Sequence, residues 1–174
     1  MRAIAITASN RAAAGVYDDT SGPLLVRLLT EAGCTADGPR VVPDGPEVAA
    51  EIAAAAEAGY DIAVTTGGTG ISPTDATPEV TRPLLRYEIP GIAEALRAKG
   101  VEAGVPAAVL SRGLAGVVER GGHRTLVVNL PGSTGGVRDG MAVLGPLLAH
   151  AVGQMRGRDH ERGAAADPPP AAGG

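Results

Sequence analysis

Two kinds of hydrophobic pattern alternate along the chain. Short apolar runs predict β-strands at Arg2–Ala8, which we expect to be buried, and at Ile62–Thr66, Ala107–Leu110, Ala115–Val118 and Thr125–Leu130. Val41-Val42 is expected to lie within a further strand. Longer segments with apolar residues at helical spacing predict helices at Gly22–Ala32, Pro46–Ala58, Ile92–Lys99 and Val137–Met155. Because strands alternate with helices, we predict a three-layer α/β domain with a mostly parallel central sheet.

Glycine and proline indicate where several predicted helices begin and end. Gly22-Pro23 predicts a helix start and Gly33 a helix end, because proline suits the first turn and glycine the residue after the last. Thr77–Glu79 has an N-cap residue type, a proline and an acid in the order of a helix start. Pro90-Gly91 predicts a break before the next helix, and the polar segment Arg11–Ser21 predicts a loop.

Length and composition predict one domain followed by a tail. The length of 174 residues fits a single domain, which we place at residues 1–157. Gly163–Gly174 is rich in glycine, alanine and proline without periodicity, so we expect residues 158–174 to form a disordered tail. The chain has no Trp, no Phe and three Tyr, so Ala, Val, Leu and Ile must form the core.

Charge and cysteine content argue against several classes of protein. The net charge is −4, whereas broad nucleic-acid binding needs a basic surface. The single cysteine, Cys34, excludes an internal disulfide, and the three histidines lack the paired spacing of zinc ligands. No apolar run reaches about 18 residues, and Met1–Thr7 lacks a signal-peptide pattern. We therefore expect a cytoplasmic protein that does not span a membrane.

The stretch Thr65–Glu79 contains the most informative loop. Three glycines within the four positions Gly67–Gly70 let the backbone approach a ligand, and consecutive amides can form a concave anion site. The loop leads into the predicted helix start at Pro78, whose partial positive charge also favours anions. Asp75 beside a phosphate is typical of Mg²⁺ binding. The same residues also fit a glycine-rich turn with an aspartate near a helix start.

This stretch differs from the common nucleotide-binding patterns. It has neither the GxxxxGK(S/T) pattern of Walker loops nor the GxGxxG pattern of dinucleotide-binding folds. The chain also lacks the Gly-Xaa-Ser-Xaa-Gly motif and the Ser/His/Asp set of serine hydrolases. These absences argue against standard P-loop, Rossmann and serine hydrolase chemistry.

Polar or glycine-rich residues also follow other predicted strands, at Ser9-Asn10, Asp44 and Pro131–Gly136. Ligands of parallel sheets bind beyond the carboxyl ends of the strands, so these loops are expected to converge with Gly67–Gly70 on one crevice. Several of these side chains, and some outside these loops, have ordinary structural alternatives. These are Asp44 as the cap of the following helix, Asn10 in an Asx turn, Ser111 in a strand-end turn, and Arg112 and Arg138 as surface cations.

Thr65–Glu79 resembles the signature of the molybdopterin adenylyltransferase family, of the MogA/MoaB type of molybdenum-cofactor biosynthesis protein. The resemblance covers Ala3 to Met155 and includes further motifs in the family's order. These motifs are Ser9-Asn10-Arg11, Gly15–Asp19, Val42-Pro43-Asp44, Ile89-Pro90-Gly91, Leu110–Gly113 and Asn129–Ser133. Several separated motifs in one order are far more specific than a single glycine-rich loop.

The resemblance implies a three-layer α/β fold, usually assembled as a homotrimer, and a reaction that uses Mg²⁺ and ATP. The terminal phosphate of molybdopterin attacks the α-phosphate of ATP, which yields adenylylated molybdopterin and pyrophosphate. That product primes molybdate insertion by a partner enzyme, a molybdenum insertase. Such a reaction depends mainly on positioning and on neutralising phosphate charge.

The resemblance also assigns expected roles to residues. Asp75 is the first candidate for binding Mg²⁺ or positioning substrate, and Asp44 is the second. The phosphate-binding residues expected on the glycine-rich loop are Thr66, Gly67, Gly68, Thr69 and Gly70. Ser111, Pro131, Gly132 and Ser133 are expected on the molybdopterin side, and Ser9 and Asn10 in the loop after the first strand.

The chain departs from many relatives at three places. Asn10 stands where many have Asp, Thr74 where many have Arg, and Ser133-Thr134 where many have Asn-Pro. The missing cation at Thr74 weakens the case that this loop neutralises phosphates by itself. A binding module that holds molybdopterin without catalysis therefore stays an alternative, as does a trimer whose glycine-rich loop only shapes a subunit contact. A third alternative is a nucleotide-cleaving enzyme of the competence-damage-associated type. We expect such an enzyme to carry a further long domain, which counts against this alternative.

Overall fold

A six-stranded sheet forms the centre of the computed structural model, which describes residues 1–157. The strands are β1 Arg2–Ala8, β2 Thr35–Val42, β3 Ile62–Thr66, β4 Tyr87–Glu88, β5 Ala115–Arg120 and β6 His123–Leu130. Their order across the sheet is β2-β1-β3-β6-β5-β4. The pairs β1–β2, β1–β3 and β3–β6 are parallel, whereas β5 is antiparallel to both of its neighbours. The predicted tail, residues 158–174, lies outside the described residues.

Helices cover both faces of this sheet. They are α1 Asn10–Ala13, α2 Ser21–Glu31, α3 Pro46–Glu57, α4 Thr77–Thr81, α5 Pro90–Glu102 and α6 Thr134–Met155, with 3-10 helices at Arg82–Leu84 and Pro106–Leu110. Apolar residues of α2, α5 and α6 pack on one face, and those of α3 and α4 on the other. The predicted three-layer α/β fold with a mostly parallel sheet is confirmed.

Alternating side chains of the central strands supply both cores. On β1, Ala3 and Ala5 join the core under α2 and α6, whereas Ile4 and Ile6 join the core under α3. This alternation follows from the two-residue period of a strand. The predicted aliphatic packing is observed, because the largest fully buried side chains are Ile, Leu and Val.

Two boundary predictions are wrong by a few residues, each for a local reason. Pro90-Gly91 does not break a helix but begins α5, because the first turn needs no amide donor from proline. The last helix begins at Thr134 rather than Val137, because the Ser133 side chain caps it by accepting a hydrogen bond from the amide of Gly136 at 3.0 Å.

The predicted strand at Ala107–Leu110 is wrong. Pro106–Leu110 forms a 3-10 helix, closed by hydrogen bonds from Ala108 to Val105 and from Ser111 to Ala108. Val109 and Leu110 are 62% and 49% exposed, so this apolar run is not part of the buried sheet. A short apolar run does not distinguish a strand from a helical turn.

The segment predicted as a loop before α2 contains the short helix α1 and an aspartate that fixes the start of α2. One carboxylate oxygen of Asp19 accepts hydrogen bonds from the amides of Ser21 and Gly22, and the other accepts one from the hydroxyl of Thr7. This contact joins the carboxyl end of β1 to the amino end of α2. Within residues 1–157, no helix combines the length and apolar character needed to cross a membrane.

Candidate functional site

The loops that follow β3 and β6 lie against each other at the carboxyl edge of the sheet. The amide of Gly67 donates to the carbonyl of Leu130 at 3.0 Å, and the hydroxyl of Thr66 donates to the carbonyl of Pro131 at 2.8 Å. A Cβ atom on Gly132 would lie 3.1 Å from the Cα of Gly67, which is tighter than almost all real contacts of this kind. The two glycine-rich loops thus converge, as their positions after parallel strands predict.

Between these loops and α5 lies a cleft of about 510 Å³. This volume is within the range of small-molecule sites, about 300–1,000 Å³. One wall consists of the two glycine-rich loops. The other wall is largely apolar, with Ala93, Leu96, Val105, Ala107, Ala108 and Leu110, but it also includes the cation Arg97. Of the residues singled out from the sequence, the cleft is lined by Gly67, Gly68, Thr69, Gly70, Asp75, Ser111, Pro131, Gly132 and Ser133.

The first two residues of the GGTG loop, which we define as Gly67–Gly70, have backbone conformations that favour glycine. Gly67 and Gly68 have φ angles of +106° and +62°. A Cβ at Gly67 would collide with the carbonyl oxygen of Ala8, and one at Gly68 with the carboxylate of Asp44. Within residues 1–157 the amides of Gly68, Thr69 and Gly70 have no hydrogen-bond acceptor. These consecutive donors are therefore available to an anion in the cleft.

Asp44 does not cap the helix that follows it, since Gly45 is the N-cap of α3. Its carboxylate instead contacts the start of α4. Oδ2 accepts a hydrogen bond from the amide of Ala76 at 3.0 Å, and Oδ1 accepts one from the hydroxyl of Thr77 at 2.8 Å. Asp44 lies behind Gly68 and is not among the residues that line the cleft. Thr77, which the sequence predicts as an N-cap, is the first residue of α4. The N-cap is Ala76.

The two residues after β1 also lie outside the cleft. Ser9 is the N-cap of α1 and accepts a hydrogen bond from the amide of Ala12 at 3.2 Å. Asn10 accepts a hydrogen bond from the amide of Asp44 at 3.0 Å through Oδ1. Asn10 thus orients the loop that carries Asp44 and does not form an Asx turn with its own segment.

Two carboxylates line the cleft, Asp139 of α6 and Asp75, which lies on the loop after the GGTG sequence. The Oδ2 atom of Asp75 accepts a hydrogen bond from the amide of Ser72 at 3.2 Å, while Oδ1 has no donor within residues 1–157. The described residues contain no cluster of three or more His, Cys, Asp or Glu side chains suited to a metal ion. A divalent cation here would take Asp75, water and phosphate oxygens as ligands, which is how Mg²⁺ usually binds beside nucleotides.

Three hydroxyls named from the sequence have partners in the protein. Thr66 is fully buried and donates to Pro131, so its hydroxyl is committed to joining the two loops. Ser133 caps α6 at the cleft. Ser111 lines the cleft, and its oxygen accepts a long hydrogen bond of 3.4 Å from the amide of Gly113.

Arg112 is not an ordinary surface cation. Its Nε donates to the carbonyl of Gly70 at 2.6 Å, its Nη2 to the carbonyl of Asp75 at 2.8 Å, and its Nη1 pairs with Glu79. Its backbone amide also donates to the carbonyl of Thr69 at 2.8 Å. The motif Leu110–Gly113 marked this position, but the motif alone does not specify these contacts.

Sequence reasoning missed Asn129 as a site residue. It lies near the end of β6, is 1% exposed and lines the cleft. Its Nδ2 donates to the hydroxyls of Thr65 and Thr81 at 3.0 and 3.2 Å, and its Oδ1 accepts from the amide of Leu114. The sequence feature that could have identified it is an amide side chain within an otherwise apolar strand, because a buried polar group needs hydrogen-bond partners.

Known proteins share both the sequence and the fold around this cleft. A family model described as "Probable molybdopterin binding domain" matches residues 4–150. The chain belongs to this family. The resemblance to molybdenum-cofactor biosynthesis proteins expected from the separated motifs is therefore confirmed.

Individual relatives of this molybdopterin-binding domain extend the comparison. The chain is 38% identical over 152 residues to the "Molybdopterin adenylyltransferase" of Pyrococcus furiosus, covering 87% of this chain and 89% of that protein. It is 40% identical over 159 residues to a "Molybdenum cofactor biosynthesis bifunctional protein" of Synechococcus elongatus, covering 91% of this chain and 48% of that protein. The chain thus spans about half the length of the bifunctional relatives it matches.

A solved structure of a molybdopterin biosynthesis protein from Mycobacterium abscessus is 45% identical to this chain. The match has a TM-score of 0.83 and covers 90% of this chain and 96% of that one. The domain therefore has the fold of molybdenum-cofactor biosynthesis proteins along almost its whole described length.

Proposed function

We propose that this domain adenylylates molybdopterin with ATP. The observation that carries the proposal is the row of available amides on Gly68, Thr69 and Gly70, residues that line the same cleft as Asp75. Phosphates need such donors, and a nucleotide–metal complex needs a nearby carboxylate. The relative from Pyrococcus furiosus that bears the name of this activity matches the chain across this segment and most of the domain.

In the proposed reaction, the GGTG loop holds the phosphates of ATP, and Asp75 would hold a Mg²⁺ ion that would neutralise part of their charge. A terminal phosphate oxygen of molybdopterin attacks the α-phosphorus of ATP. A new phosphorus–oxygen bond forms as the bond to the bridging oxygen between the α- and β-phosphates breaks, and pyrophosphate leaves. The protein contributes by aligning two anionic substrates and by orienting backbone donors toward the transferring phosphoryl group.

The apolar wall of the cleft suits the other substrate. Leu96, Ala107 and Leu110 offer a surface on which the flat ring system of molybdopterin packs. Ser111, Pro131, Gly132 and Ser133 lie between this wall and the GGTG loop. We assign these residues to the molybdopterin side, so that the terminal phosphate points toward the bound nucleotide.

A cytoplasmic homotrimer and a downstream molybdenum insertase complete the proposal. The bifunctional relative from Synechococcus elongatus supports a division of labour, because this domain accounts for only 48% of that protein. The product, adenylylated molybdopterin, would be passed to the insertase as an activated intermediate.

The test is release of pyrophosphate by the purified protein given ATP, Mg²⁺ and molybdopterin, with each omitted in turn. We expect release only when all three are present, together with formation of adenylylated molybdopterin. Binding of molybdopterin without any release would favour the alternative of a non-catalytic binding module. Such an alternative draws on the small number of cations near the GGTG loop, where Thr74 supplies none, Arg112 is paired with Glu79, and Arg97 is the arginine that lines the cleft.

A further inference from the structure

The loop from Gly70 to Asp75 has little packing of its own. Ile71 at its tip is 67% exposed, and Ser72, Pro73 and Thr74 are also exposed. Its internal hydrogen bonds are local, from the amide of Asp75 to the carbonyl of Ser72 and from the amide of Ser72 to the Asp75 carboxylate. The direction of the Asp75 side chain therefore depends on how the two ends of the loop are held.

Arg112 holds both ends from one side. Its Nε donates to the carbonyl of Gly70 and its Nη2 to the carbonyl of Asp75, so one guanidinium spans the loop from first residue to last. The donors of a guanidinium have a fixed planar geometry, which sets the separation of the two carbonyls. The side chain of Arg112 is 35% exposed, so these contacts are partly shielded from water.

Asp44 holds the same peptide group from the other side. Arg112 binds the carbonyl of Asp75, and Asp44 accepts a hydrogen bond from the amide of Ala76. These two atoms belong to one peptide unit, in which the carbonyl and the amide point in opposite directions. A cation and an anion thus fix the plane of the peptide that directly follows the Cα of Asp75.

We propose that Arg112 is a positioning residue which, together with Asp44, orients Asp75 for the adenylyl transfer. This inference rests on the proposed function, because it assigns Asp75 the task of holding Mg²⁺ and ATP. The charge of Arg112 is directed at the loop, since Nη1 pairs with Glu79 while Nε and Nη2 each donate to a backbone carbonyl. Arg112 acts through the backbone of the loop.

Arg112→Lys distinguishes positioning from simple charge. A lysine keeps the positive charge but has one compact ammonium group, which cannot reproduce the planar contacts to two separated carbonyls. Arg82→Lys is the matched control, because Arg82 pairs with Glu88 outside the loop. We expect Arg112→Lys to lower kcat about 10- to 100-fold, the scale of a misplaced catalytic group. We also expect a higher Mg²⁺ requirement, unchanged molybdopterin binding and an almost unchanged Tm.

A double variant tests whether Arg112 acts through Asp75. If it does, Arg112→Lys should cause little further loss in the Asp75→Asn background, because the two residues act as one unit. Hydrogen exchange of the amides at residues 70–76 should also be faster in Arg112→Lys than in wild type or Arg82→Lys. The exchange measurement does not depend on turnover.

The outcomes separate this inference from the proposed function. Wild-type protein that releases no pyrophosphate would refute the function. Active wild type with an equally active Arg112→Lys variant, or with unchanged loop exchange in that variant, would refute the positioning role. Additive losses in the double variant would also refute it, since they would indicate an effect that bypasses Asp75.

Discussion

The hydroxyl of Thr66 donates a hydrogen bond of 2.8 Å to the carbonyl of Pro131 and thereby joins the two glycine-rich loops of the cleft. Thr66→Val keeps the size of the side chain but removes the donor. We expect a loss of about 1–3 kcal/mol in the free energy of unfolding, because the Pro131 carbonyl loses its partner. We also expect slower pyrophosphate release, because the loops then separate more easily.

Thr125→Val is the matched control for this change. Thr125 is also fully buried, and its hydroxyl donates to the carbonyl of Tyr60 at 2.7 Å near the opposite end of the sheet. Denaturation should show a loss of stability in both variants, smaller in Thr125→Val because the Tyr60 carbonyl keeps its contact with Nε2 of His123 at 2.9 Å. A rate assay should show a loss of turnover in Thr66→Val only. Equal turnover in the two variants would mean that the joint between the loops does not matter for activity.

Gly68→Ala should disrupt the GGTG loop. Gly68 has a φ of +62°, and a Cβ there would collide with the Asp44 carboxylate and lie 2.5 Å from Oγ1 of Thr77. Strain of this kind costs about 1–3 kcal/mol. We expect ATP affinity, measured by calorimetry, to fall at least about tenfold, the effect of roughly 1.4 kcal/mol.

Gly121→Ala is the control that separates the effect of a positive φ from the effect of the collision with Asp44. Gly121 lies in the turn between β5 and β6, has a φ of +55°, and a Cβ there would meet nothing within 4 Å. It should lose some stability yet bind ATP like wild type. Normal ATP affinity in Gly68→Ala would contradict the assigned phosphate-binding role of this loop.

Asp75→Asn should abolish most turnover while leaving the fold intact. The amide side chain is nearly isosteric and still accepts a hydrogen bond, but it lacks the charge that favours Mg²⁺. Pyrophosphate release measured across a range of Mg²⁺ concentrations is the appropriate assay. Glu57→Gln removes a charge from an exposed position at the end of α3 and should not change the rate. Wild-type rates in Asp75→Asn would exclude the role we assign to this carboxylate.

The environment of Asp61 predicts that its carboxylate stabilises the fold in a pH-dependent way. Burial acts to raise the pKa of this carboxyl group, but hydrogen bonds from the Arg2 amide and from Arg156, at 2.6 Å, lower it below its usual value. Because the folded-state pKa is lowered, the stabilisation is present above the unfolded pKa, about 3.9. It is lost as the pH falls through the folded-state value.

Asp61→Asn should therefore unfold more easily than wild type at neutral pH, by about 1–3 kcal/mol. The difference should shrink as the pH falls below about 4. Urea denaturation at several pH values measures both effects, and Asp18→Asn, which changes an exposed carboxylate, provides the control. A difference that stayed constant down to pH 2 would show that the ionised state of Asp61 does not stabilise the fold.

The order of strands and helices was predictable because most elements have a strong local pattern. The aliphatic run Ile62–Thr66 forms β3 over the predicted bounds, since each of its residues is buried. Ala107–Leu110 was misassigned, because an apolar run of that length fits either a strand or a helical turn. The two-residue strand β4 escaped prediction, because it depends on pairing with β5.

The site was predictable in position but not in its contacts. Residues after parallel strands must meet at one sheet edge, which brought Gly67–Gly70 and Pro131–Ser133 together. Asp44 precedes a helix in the sequence, and nothing local distinguishes a helix cap from its actual contacts with Ala76 and Thr77. Arg112 contacts Gly70 across 42 positions of sequence, a separation at which only the tertiary fold decides the partner.

The nearly complete absence of aromatic residues from the two cores has a spectroscopic consequence. Without tryptophan or phenylalanine, the side-chain near-ultraviolet absorption and emission of this protein come from three tyrosines. Tyr60 lies beneath Arg2 and donates a hydrogen bond to Asp37, while Tyr17 and Tyr87 are well exposed. A fully oxidised pterin analogue absorbs and fluoresces at longer wavelengths than tyrosine, so its binding in the cleft can be followed with little overlap from the protein.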